Sequence, residues 1–201
     1  MEPLPDRTEA DDLVLRRWTP DDAAALDALV TANLAHLRPR MPWIAEEPKT
    51  LAERRELIEG WTASWAGGGD LVMGVWRGDR PVASVGLHWR GEPDGPEVGY
   101  WVAGPEQGRG IATRASAALC DLAFGVPTVD AVYLANDATN LASRRVPEKL
   151  GFTHLGQVPV PAEKIAPADS GVHDRWRLPR PDWPAHRPTK TRPPARTRAM
   201  W

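Results

Sequence analysis

The 201-residue sequence contains one cysteine, Cys120, and therefore cannot form a disulfide within the chain. This scarcity excludes a disulfide-stabilised scaffold and a zinc site built on paired cysteines, and it favours a reducing compartment. Long apolar runs are also absent, since none approaches the roughly 20 residues that a membrane-spanning helix needs. The first six residues are acidic and lack the basic-then-apolar order of a signal peptide. We therefore expect a cytoplasmic protein with no membrane partner.

Tyrosine and phenylalanine are scarce, with two of each against ten tryptophans. Such an excess indicates either an aromatic core or an aromatic-lined pocket, because large rings bury much apolar surface. Most of the ten fall in predicted strands, on the predicted buried face of a helix or at the end of the domain. Two remain as expected pocket walls: Trp43, in a loop between helices, and Trp101, beside a predicted ligand loop.

The net charge of −2 is an average over unequal segments. Residues 1–12 contain five acids and one arginine, whereas residues 184–201 contain five basic residues, four prolines and no acid. We expect an acidic N-terminal segment at 1–12, one domain at 13–183 and a disordered tail at 184–201, because the tail has too little apolar surface to fold. The tail is interpreted as a solvated terminus or, more weakly, as an arm for nucleic acid or the ribosome.

Hydrophobic periodicity predicts a mixed α/β chain with the element order β-α-α-β-β-β-α-β-α-β. A proline and two acids after Thr19, and a capping box that begins at Thr50, mark the starts of the first two helices. The later helices are predicted over 111–124 and 140–151, and the strands over 13–18, 71–77, 81–89, 97–102, 131–135 and a last stretch that includes 176–178.

The segment that follows the strand 97–102 carries the strongest functional signal. The strand enters a turn that contains Gly108 and Gly110 and leads directly into a helix. Glycines let the backbone approach a ligand closely, and the unpaired N–H groups and the dipole of a helix start attract anions. These features predict a phosphate or pyrophosphate site. The segment lacks the lysine and hydroxyl of a nucleotide-hydrolase P-loop and the three-glycine spacing of a dinucleotide fold.

Two motifs make the signal specific. Residues 107–112 are Gln-Gly-Arg-Gly-Ile-Ala, and residues 140–152 begin Asn-Leu-Ala-Ser and end Glu-Lys-Leu-Gly-Phe. The first resembles the pyrophosphate loop of the GNAT superfamily of acyl-coenzyme A-dependent N-acyltransferases, and the second resembles a block of its RimJ/RimL-like branch. Residues 37–43 are similar to that branch's loop between the first two helices. The resemblance extends over residues 13–183.

The resemblance implies the GNAT fold, an α/β (α+β) domain whose central sheet is mixed and mostly antiparallel, with a splayed fourth and fifth strand and flanking helices. It also implies acetyl-CoA as the acyl donor, with no metal required. The expected contacts with acetyl-CoA are Trp101, Val102, Ala103, Gln107, Gly108, Arg109, Gly110, Ile111, Ala112, Asn140 and Ser143.

The attacking amine must lose a proton, and the resemblance implies Glu97, at the start of the strand beside the acyl group, as the general base. His36 and His88 are rival bases. Trp43 and Tyr100 are the expected contacts with the acceptor substrate.

The departing thiolate must gain a proton. Many superfamily members use a tyrosine seven residues after the asparagine, but Pro147 stands at that position here. Ser143 is then the candidate general acid, with Tyr100, Tyr133 and solvent as alternatives. Cys120, on the helix after the loop, is expected to be inert.

The sequence thus predicts an enzyme that transfers an acetyl group from acetyl-CoA to a primary amine, at a protein N-terminus or on a small molecule, by direct attack in a ternary complex. Two alternatives stay open: an acyl-CoA-binding sensor or partner-binding module with little catalysis, and an enzyme that modifies aminoglycoside-type drugs. A homodimer also stays open.

Overall fold

A computed structural model describes residues 4–162 and 165–187, and in these ranges the chain forms one eight-stranded sheet in the order β1-β2-β3-β4-β5-β6-β8-β7. Every neighbouring pair of strands is antiparallel except β5 and β6, which are parallel. The strands are β1 (Arg7–Ala10), β2 (Leu13–Arg17), β3 (Leu71–Arg77), β4 (Arg80–His88), β5 (Glu97–Val102), β6 (Ala131–Asp137), β7 (Thr153–Pro159) and β8 (Val172–Pro179).

The helices cover both faces of this sheet. They are α1 (Ala23–Thr31), α2 (Leu34–Leu37), α3 (Leu51–Ala66), α4 (Ile111–Gly125), α5 (Leu141–Lys149) and α6 (Trp183–His186). The Thr50 hydroxyl accepts a hydrogen bond from the Glu53 N–H while the Glu53 carboxylate accepts from the Thr50 N–H, so the predicted capping box starts α3. Among the described residues, none of these helices combines the length and apolar character that crossing a bilayer requires.

Two buried clusters fill the space between the helices and the sheet. One joins α4 and α5 to residues of β2 to β6, and the other joins α1 and α3 to Trp18 and Trp76. Trp176 and Trp183 are also buried, so most tryptophans of the chain contribute to packing, as predicted. Cys120 lies in the first cluster, where burial raises the pKa of its thiol.

The chain ends differ from the segments that the sequence indicated. Strand β1 lies within the stretch expected to be an acidic segment and pairs with β2, so the sheet begins at Arg7 rather than at Leu13. Helix α6 and Arg187 lie within the stretch expected to be a tail, and Arg187 forms an ion pair with Asp121 at 2.8 Å. The rest of the predicted tail, residues 188–201, lies outside the described residues.

The sheet opens at one place, between β5 and β6. Strand β5 pairs with β4 over all six of its residues. Its pairing with β6 covers two positions and ends at Val98 opposite Leu134. The expected mostly antiparallel sheet with one splayed pair of strands is therefore confirmed, and the gap that the splay creates adjoins the predicted ligand loop.

Candidate active site

Two cavities meet at the end of the splayed strand β5. One, of about 400 Å³, is lined by the glycine turn and the starts of α4 and α5, and we call it the loop cavity. The other, of about 470 Å³, is lined by Trp43, Trp61 and Trp101, and we call it the tryptophan cavity. Six residues line both cavities and so form their junction: Arg40, Met41, Tyr100, Trp101, Asn140 and Ser143.

The loop cavity has the backbone geometry of an anion site. Gly108 and Gly110 adopt φ angles of +73° and +71°, which side-chain-bearing residues rarely adopt. Gly110 is the N-cap of α4 and has no side chain to accept the helix's first N–H groups. The N–H groups of Ile111 to Thr113, together with the helix dipole, are therefore free to bind an anion. A Cβ added at either glycine would meet open space, which leaves room for a ligand.

Side chains of the first helices hold this loop in place. The Asn33 side chain is buried; its oxygen accepts a hydrogen bond from the Gly104 N–H at 2.8 Å, and its amide donates to the Leu29 carbonyl at 2.7 Å. Gln107 hydrogen-bonds the ring of His36 at 2.9 Å. His36, a predicted rival base, thus lies at the loop cavity. Asn33 was not predicted from the sequence, because its partner Gly104 lies 71 residues away.

A buried carboxylate, which the sequence analysis missed, lies under the same loop. Glu106 forms ion pairs with Arg77 at 2.7 Å and with Arg80 at 2.6 Å. Arg109 approaches it at 3.6 Å and keeps 58% of its side chain exposed. Arg77 is also paired with Asp12 at 2.9 Å, so three guanidinium groups stand against two carboxylates and the cluster keeps one net positive charge, which favours an anion.

The backbone of β5 faces the gap in the sheet. The Tyr133 N–H donates to the Pro96 carbonyl at 2.9 Å, so that carbonyl faces β6. Backbone groups point to alternate sides along a strand, and those of Tyr100 and Val102 therefore also face the β6 side. Because pairing with β6 ends at Val98, these groups are directed into the gap beside the loop cavity.

A hydroxyl pair stands at the junction of the cavities. The Tyr100 hydroxyl lies 2.8 Å from the Ser143 hydroxyl and donates to the Ser143 carbonyl at 3.1 Å. Burial raises the pKa of Tyr100 to about 12, although the Ser143 hydrogen bond opposes the rise, so the phenol keeps its proton at neutral pH. Because the phenol can donate to the carbonyl, the Ser143 hydroxyl can turn its own proton towards the cavity.

Asn140 and Pro147 complete the description of α5. The Asn140 side chain caps this helix by accepting from the Ser143 N–H at 3.2 Å, and it also lines the junction. Pro147 lies inside the helix and is buried. Tyr133, the other tyrosine of the chain, donates its hydroxyl proton to Asp94 at 2.6 Å and lines neither cavity.

Aromatic rings and paired charges surround the tryptophan cavity. The rings of Trp43 and Trp101 lie 6.1 Å apart, so the two predicted pocket walls pack against each other. The buried Arg54 holds both oxygens of the buried Glu47 at 2.8 Å each, and it reaches Asp27 at 3.2 Å. This ion pair fixes the loop that carries Trp43 against α3.

Arg40 is fixed in a comparable way at the junction. It pairs at 2.7 Å with Asp137, a buried residue at the end of β6. Burial alone would raise the pKa of Asp137, but hydrogen bonds from Ser170 and Thr139 hold it at about 2. The carboxylate is therefore charged at neutral pH and orients the arginine.

Two polar groups stand on neighbouring strands in the tryptophan cavity. Glu97, the predicted base, lies opposite His88 in the register of β4 and β5 and forms an ion pair with Arg175 at 2.6 Å. His88, a predicted rival base, has its Nδ1 2.7 Å from a carboxylate oxygen of Asp70. The sequence analysis missed Asp70, which precedes β3.

The structure brings most of the predicted site residues together around the two cavities. Ala103 and Arg109 are exceptions among the described residues, since they do not line the loop cavity. The Ala103 N–H is used within the sheet, where it donates to the Val82 carbonyl at 2.9 Å. No group of three or more His, Cys, Asp or Glu side chains that could hold a metal ion occurs within 4–162 and 165–187.

Comparisons with known proteins agree with this geometry. Residues 12–153 match the family model described as an acetyltransferase (GNAT) domain. The chain is 29% identical over 147 residues to a Bacillus subtilis protein named as a ribosomal N-acetyltransferase, YdaF. The aligned region covers 72% of this chain and 80% of that protein.

Two solved structures show the same fold. RimJ from Mycobacterium smegmatis, in complex with CoA-disulfide, matches with a TM-score of 0.73 and 24% identity, over 90% of this chain and 88% of that one. The microcin C7 self-immunity acetyltransferase MccE, in complex with acetyl-CoA and AMP, matches with a TM-score of 0.78 and 18% identity, over 87% and 97% of the two chains.

Proposed function

The chain belongs to the acetyltransferase (GNAT) domain family, and from this premise we propose that it is a RimJ/RimL-like enzyme that transfers the acetyl group of acetyl-CoA to the α-amine of a protein N-terminus. The observation that carries the proposal is the junction of the two cavities at Tyr100 and Ser143. One cavity has the backbone of an anion site and the other has aromatic walls. A donor and an acceptor can therefore enter from different sides and meet there.

The loop cavity fits the donor. The pyrophosphate of acetyl-CoA would bind to the N–H groups at the start of α4, where the glycine turn leaves open space. Arg145 and Lys149 line the same cavity and would add positive charge for the remaining phosphate. The gap beside β5 would receive the pantetheine arm, next to Asn140.

The protein's own groups can perform the proton and charge chemistry of the transfer. The thioester supplies a carbonyl that an amine can attack. An N–H group of β5 that faces the gap, from Tyr100 or Val102, would stabilise negative charge on the carbonyl oxygen, because a preorganised backbone donor needs no reorganisation. The Ser143 hydroxyl, hydrogen-bonded to Tyr100, would protonate the sulfur as it leaves.

Three observations support a protein N-terminus as the acceptor. The Bacillus subtilis relative is named as a ribosomal N-acetyltransferase. The tryptophan cavity, at about 470 Å³, has the size of an ordinary ligand pocket and suits the first residues of a peptide. Charged residues in its lining, such as Arg54, Glu47 and Glu97, are paired within the protein, which suits a substrate with one amine better than a polycation.

The test is an acceptor panel with purified full-length chain, acetyl-CoA and free-thiol release as the readout. The panel contains hexapeptides that begin with Ser, Ala, Thr, Gly or Met, the same peptides with an acetylated N-terminus, spermidine and kanamycin. We expect thiol release with at least one free peptide, loss of that signal with its blocked form, and a mass increase of one acetyl group.

Two results would contradict the proposal in different ways. Acetylation of spermidine or kanamycin with no peptide accepted would move the acceptor to small amines and keep the acyl transfer. Failure to bind acetyl-CoA in calorimetry would remove the acyl transfer itself.

A further inference from the structure

We propose that His88, oriented by Asp70, accepts the proton of the attacking amine, in place of the carboxylate of Glu97. The inference rests on the proposed function, since it assigns a step of that reaction to a residue of the tryptophan cavity. It begins from a contact between two segments. The His88 Nδ1 lies 2.7 Å from one oxygen of Asp70, and the other oxygen accepts the Trp89 N–H at 2.9 Å. Both oxygens of the carboxylate are thus held in place.

The floor beneath His88 consists of two glycines. Gly86 on β4 and Gly99 on β5 are direct cross-strand partners. A Cβ added to Gly86 would lie 2.7 Å from the His88 Nε2, and one added to Gly99 would lie 3.1 Å from the same atom. Larger residues at either position would displace the ring. The pair of glycines therefore lets the imidazole lie against the sheet with its Nε2 between β4 and β5.

This geometry determines which ring nitrogen of His88 carries the proton. A neutral imidazole carries one N–H, and a carboxylate can only accept, so the proton belongs on Nδ1, towards Asp70. The lone pair is then on Nε2, in the tryptophan cavity. Gly99 precedes Tyr100 by one residue, so Nε2 lies within about 7 Å of the Tyr100 N–H, which faces the gap, at ~3.3 Å per residue of strand. An amine, alone or with one water, spans that distance.

Glu97 is less suited to the role in this structure. Its carboxylate is engaged by Arg175 at 2.6 Å, and Arg175 also contacts Glu92. Because the arginine binds one carboxylate oxygen, an amine would have to reach the other oxygen or displace the arginine before Glu97 could accept its proton.

The surroundings of His88 contain charges of both signs. Asp70 contacts the ring directly, and Glu97, which lies opposite it on β5, is neutralised by Arg175 of β8. The remaining charged and titratable groups in the cavity lining come from the segment after β4, from residues 40–54, from β5, from the end of β6, from the segment before β8 and from β8 itself: Arg90, Arg40, Glu46, Glu47, Lys49, Arg54, Tyr100, Asp137, Asp169 and His173.

The proton balance of the reaction is complete with this assignment. An ammonium group gives one proton to the His88 Nε2 and becomes a neutral amine. Its nitrogen forms a bond to the acetyl carbon, and the bond from that carbon to sulfur breaks. The second proton leaves the nitrogen and the sulfur ends as a thiol, with Ser143 passing on a proton. His88 then returns its proton to solvent, so one proton is released in each turnover.

The decisive experiment compares the pH profile of kcat/KM for the native chain and His88→Gln, with the best acceptor of the peptide panel. We expect His88→Gln to lower kcat/KM about 100-fold or more at pH 7, in the range of general-base catalysis. In the native chain, kcat/KM should fall as the pH decreases from 8 to 5, which is the acid limb of the profile, and this fall should be smaller in the variant. The acceptor amine titrates equally in both proteins, so the difference isolates His88. Calorimetric binding of acetyl-CoA should be unchanged.

His154→Gln is the matched control, because His154 also contacts an aspartate, Asp174 at 3.0 Å, but lines neither cavity; we expect less than a threefold change in kcat/KM with the limb retained. Asp70→Asn tests the positioning residue. It should lower kcat/KM about 10-fold, because the ring loses the carboxylate that orients it, and Asp70→Glu, which keeps a carboxylate, should recover part of the loss. A limb that persists in His88→Gln and disappears in Glu97→Gln would overturn the proposal.

A second measurement needs no acceptor. Nitrogen-15 NMR of the histidine rings, assigned by comparison with His88→Gln, reports which nitrogen carries the proton at pH 8. We expect the Nδ1–H form at His88, and the Nε2–H form would overturn the assignment. If the panel shows no turnover, the proposed function fails while the NMR result still decides the state of His88.

Discussion

The two cavities differ in what builds them. The loop cavity owes its character to the backbone of one continuous stretch, the glycine turn and the start of α4. The tryptophan cavity is built from side chains that several separate segments contribute, among them Trp43, Arg54, His88 and Glu97. A backbone site is determined by local sequence, because it depends on the glycines and the helix start rather than on the other side chains. A side-chain site can vary one residue at a time, which suits the part of an enzyme that selects the acceptor.

A cavity built from separate segments depends on the contacts that hold those segments together. For the tryptophan cavity, we expect the buried ion pair of Arg54 and Glu47 to be such a contact. Arg54→Ala leaves Glu47 buried and unpaired, which costs about 3–5 kcal/mol in the free energy of unfolding. Urea denaturation measures the loss. Arg55→Ala, at the exposed neighbour on the same helix, is the control and should change stability by about 0.5 kcal/mol or less.

Removing both charges sharpens the same prediction. The double variant Arg54→Met, Glu47→Leu should recover most of the lost stability, because a buried ion pair can be replaced by apolar groups of similar volume. An Arg54→Ala variant as stable as the native chain would show that the cavity does not depend on this pair.

On the loop side, the largest effect is expected from Gly110→Val. A β-branched residue at a φ of +71° costs about 1–2 kcal/mol in strain, and its side chain occupies the space expected for the pyrophosphate. We expect acetyl-CoA binding to weaken about 100-fold, measured by calorimetry. Gly125→Ala, at the other end of α4, is the matched control, because Gly125 has no positive φ and open space at its Cβ. Equal affinities for both variants would exclude the glycine turn as the donor site.

The same contrast explains how much the sequence could predict. Gly108, Gly110 and the helix that follows are contiguous, so their φ angles and free N–H groups follow from local rules. The bounds of the strands 71–77 and 97–102 and of the helix 111–124 were predicted within a residue or two. Strand β1 was missed because its polar residues show no apolar alternation, and its partner β2 supplies the pairing.

The side-chain contacts lay beyond the reach of the sequence. Asp70 and His88 are 18 residues apart, and their contact requires the register of β3 with β4. Asn33 reaches Gly104 across 71 residues. Glu97 could be selected as a base by its position, but its ion pair with Arg175, 78 residues further along, depends on the pairing of β6 with both β5 and β8. The roles of these groups depend on tertiary contacts, which the spacing of residues along the sequence does not reveal.

At the junction of the cavities, Ser143→Ala should lower kcat about 10- to 100-fold and leave acetyl-CoA affinity unchanged. The hydroxyl would give its proton to sulfur in the transition state rather than hold the bound donor. Steady-state kinetics at saturating substrates and calorimetry measure the two effects. Ser143→Thr, which keeps the hydroxyl, is the control and should retain most of the rate. An unchanged kcat in Ser143→Ala would remove Ser143 as the general acid.

The smallest expected effect concerns Asp137, whose partner Arg40 lines both cavities. The pKa of Asp137 is about 2 in the folded protein, below the value of about 3.9 for an unfolded aspartate. The folded state therefore favours the ionised form of this carboxyl group. The resulting stability is present above pH 4 and is lost as the pH falls towards 2.

Asp137→Asn should lower the free energy of unfolding by about 1–2 kcal/mol at pH 7 and flatten the decline of stability between pH 5 and 2. Chemical denaturation over that range measures it, with Asp79→Asn as the control at a residue for which the structure shows no ion pair. A decline of the same steepness in Asp137→Asn would mean that the junction is held by packing around Met41 and Trp101 rather than by this charge.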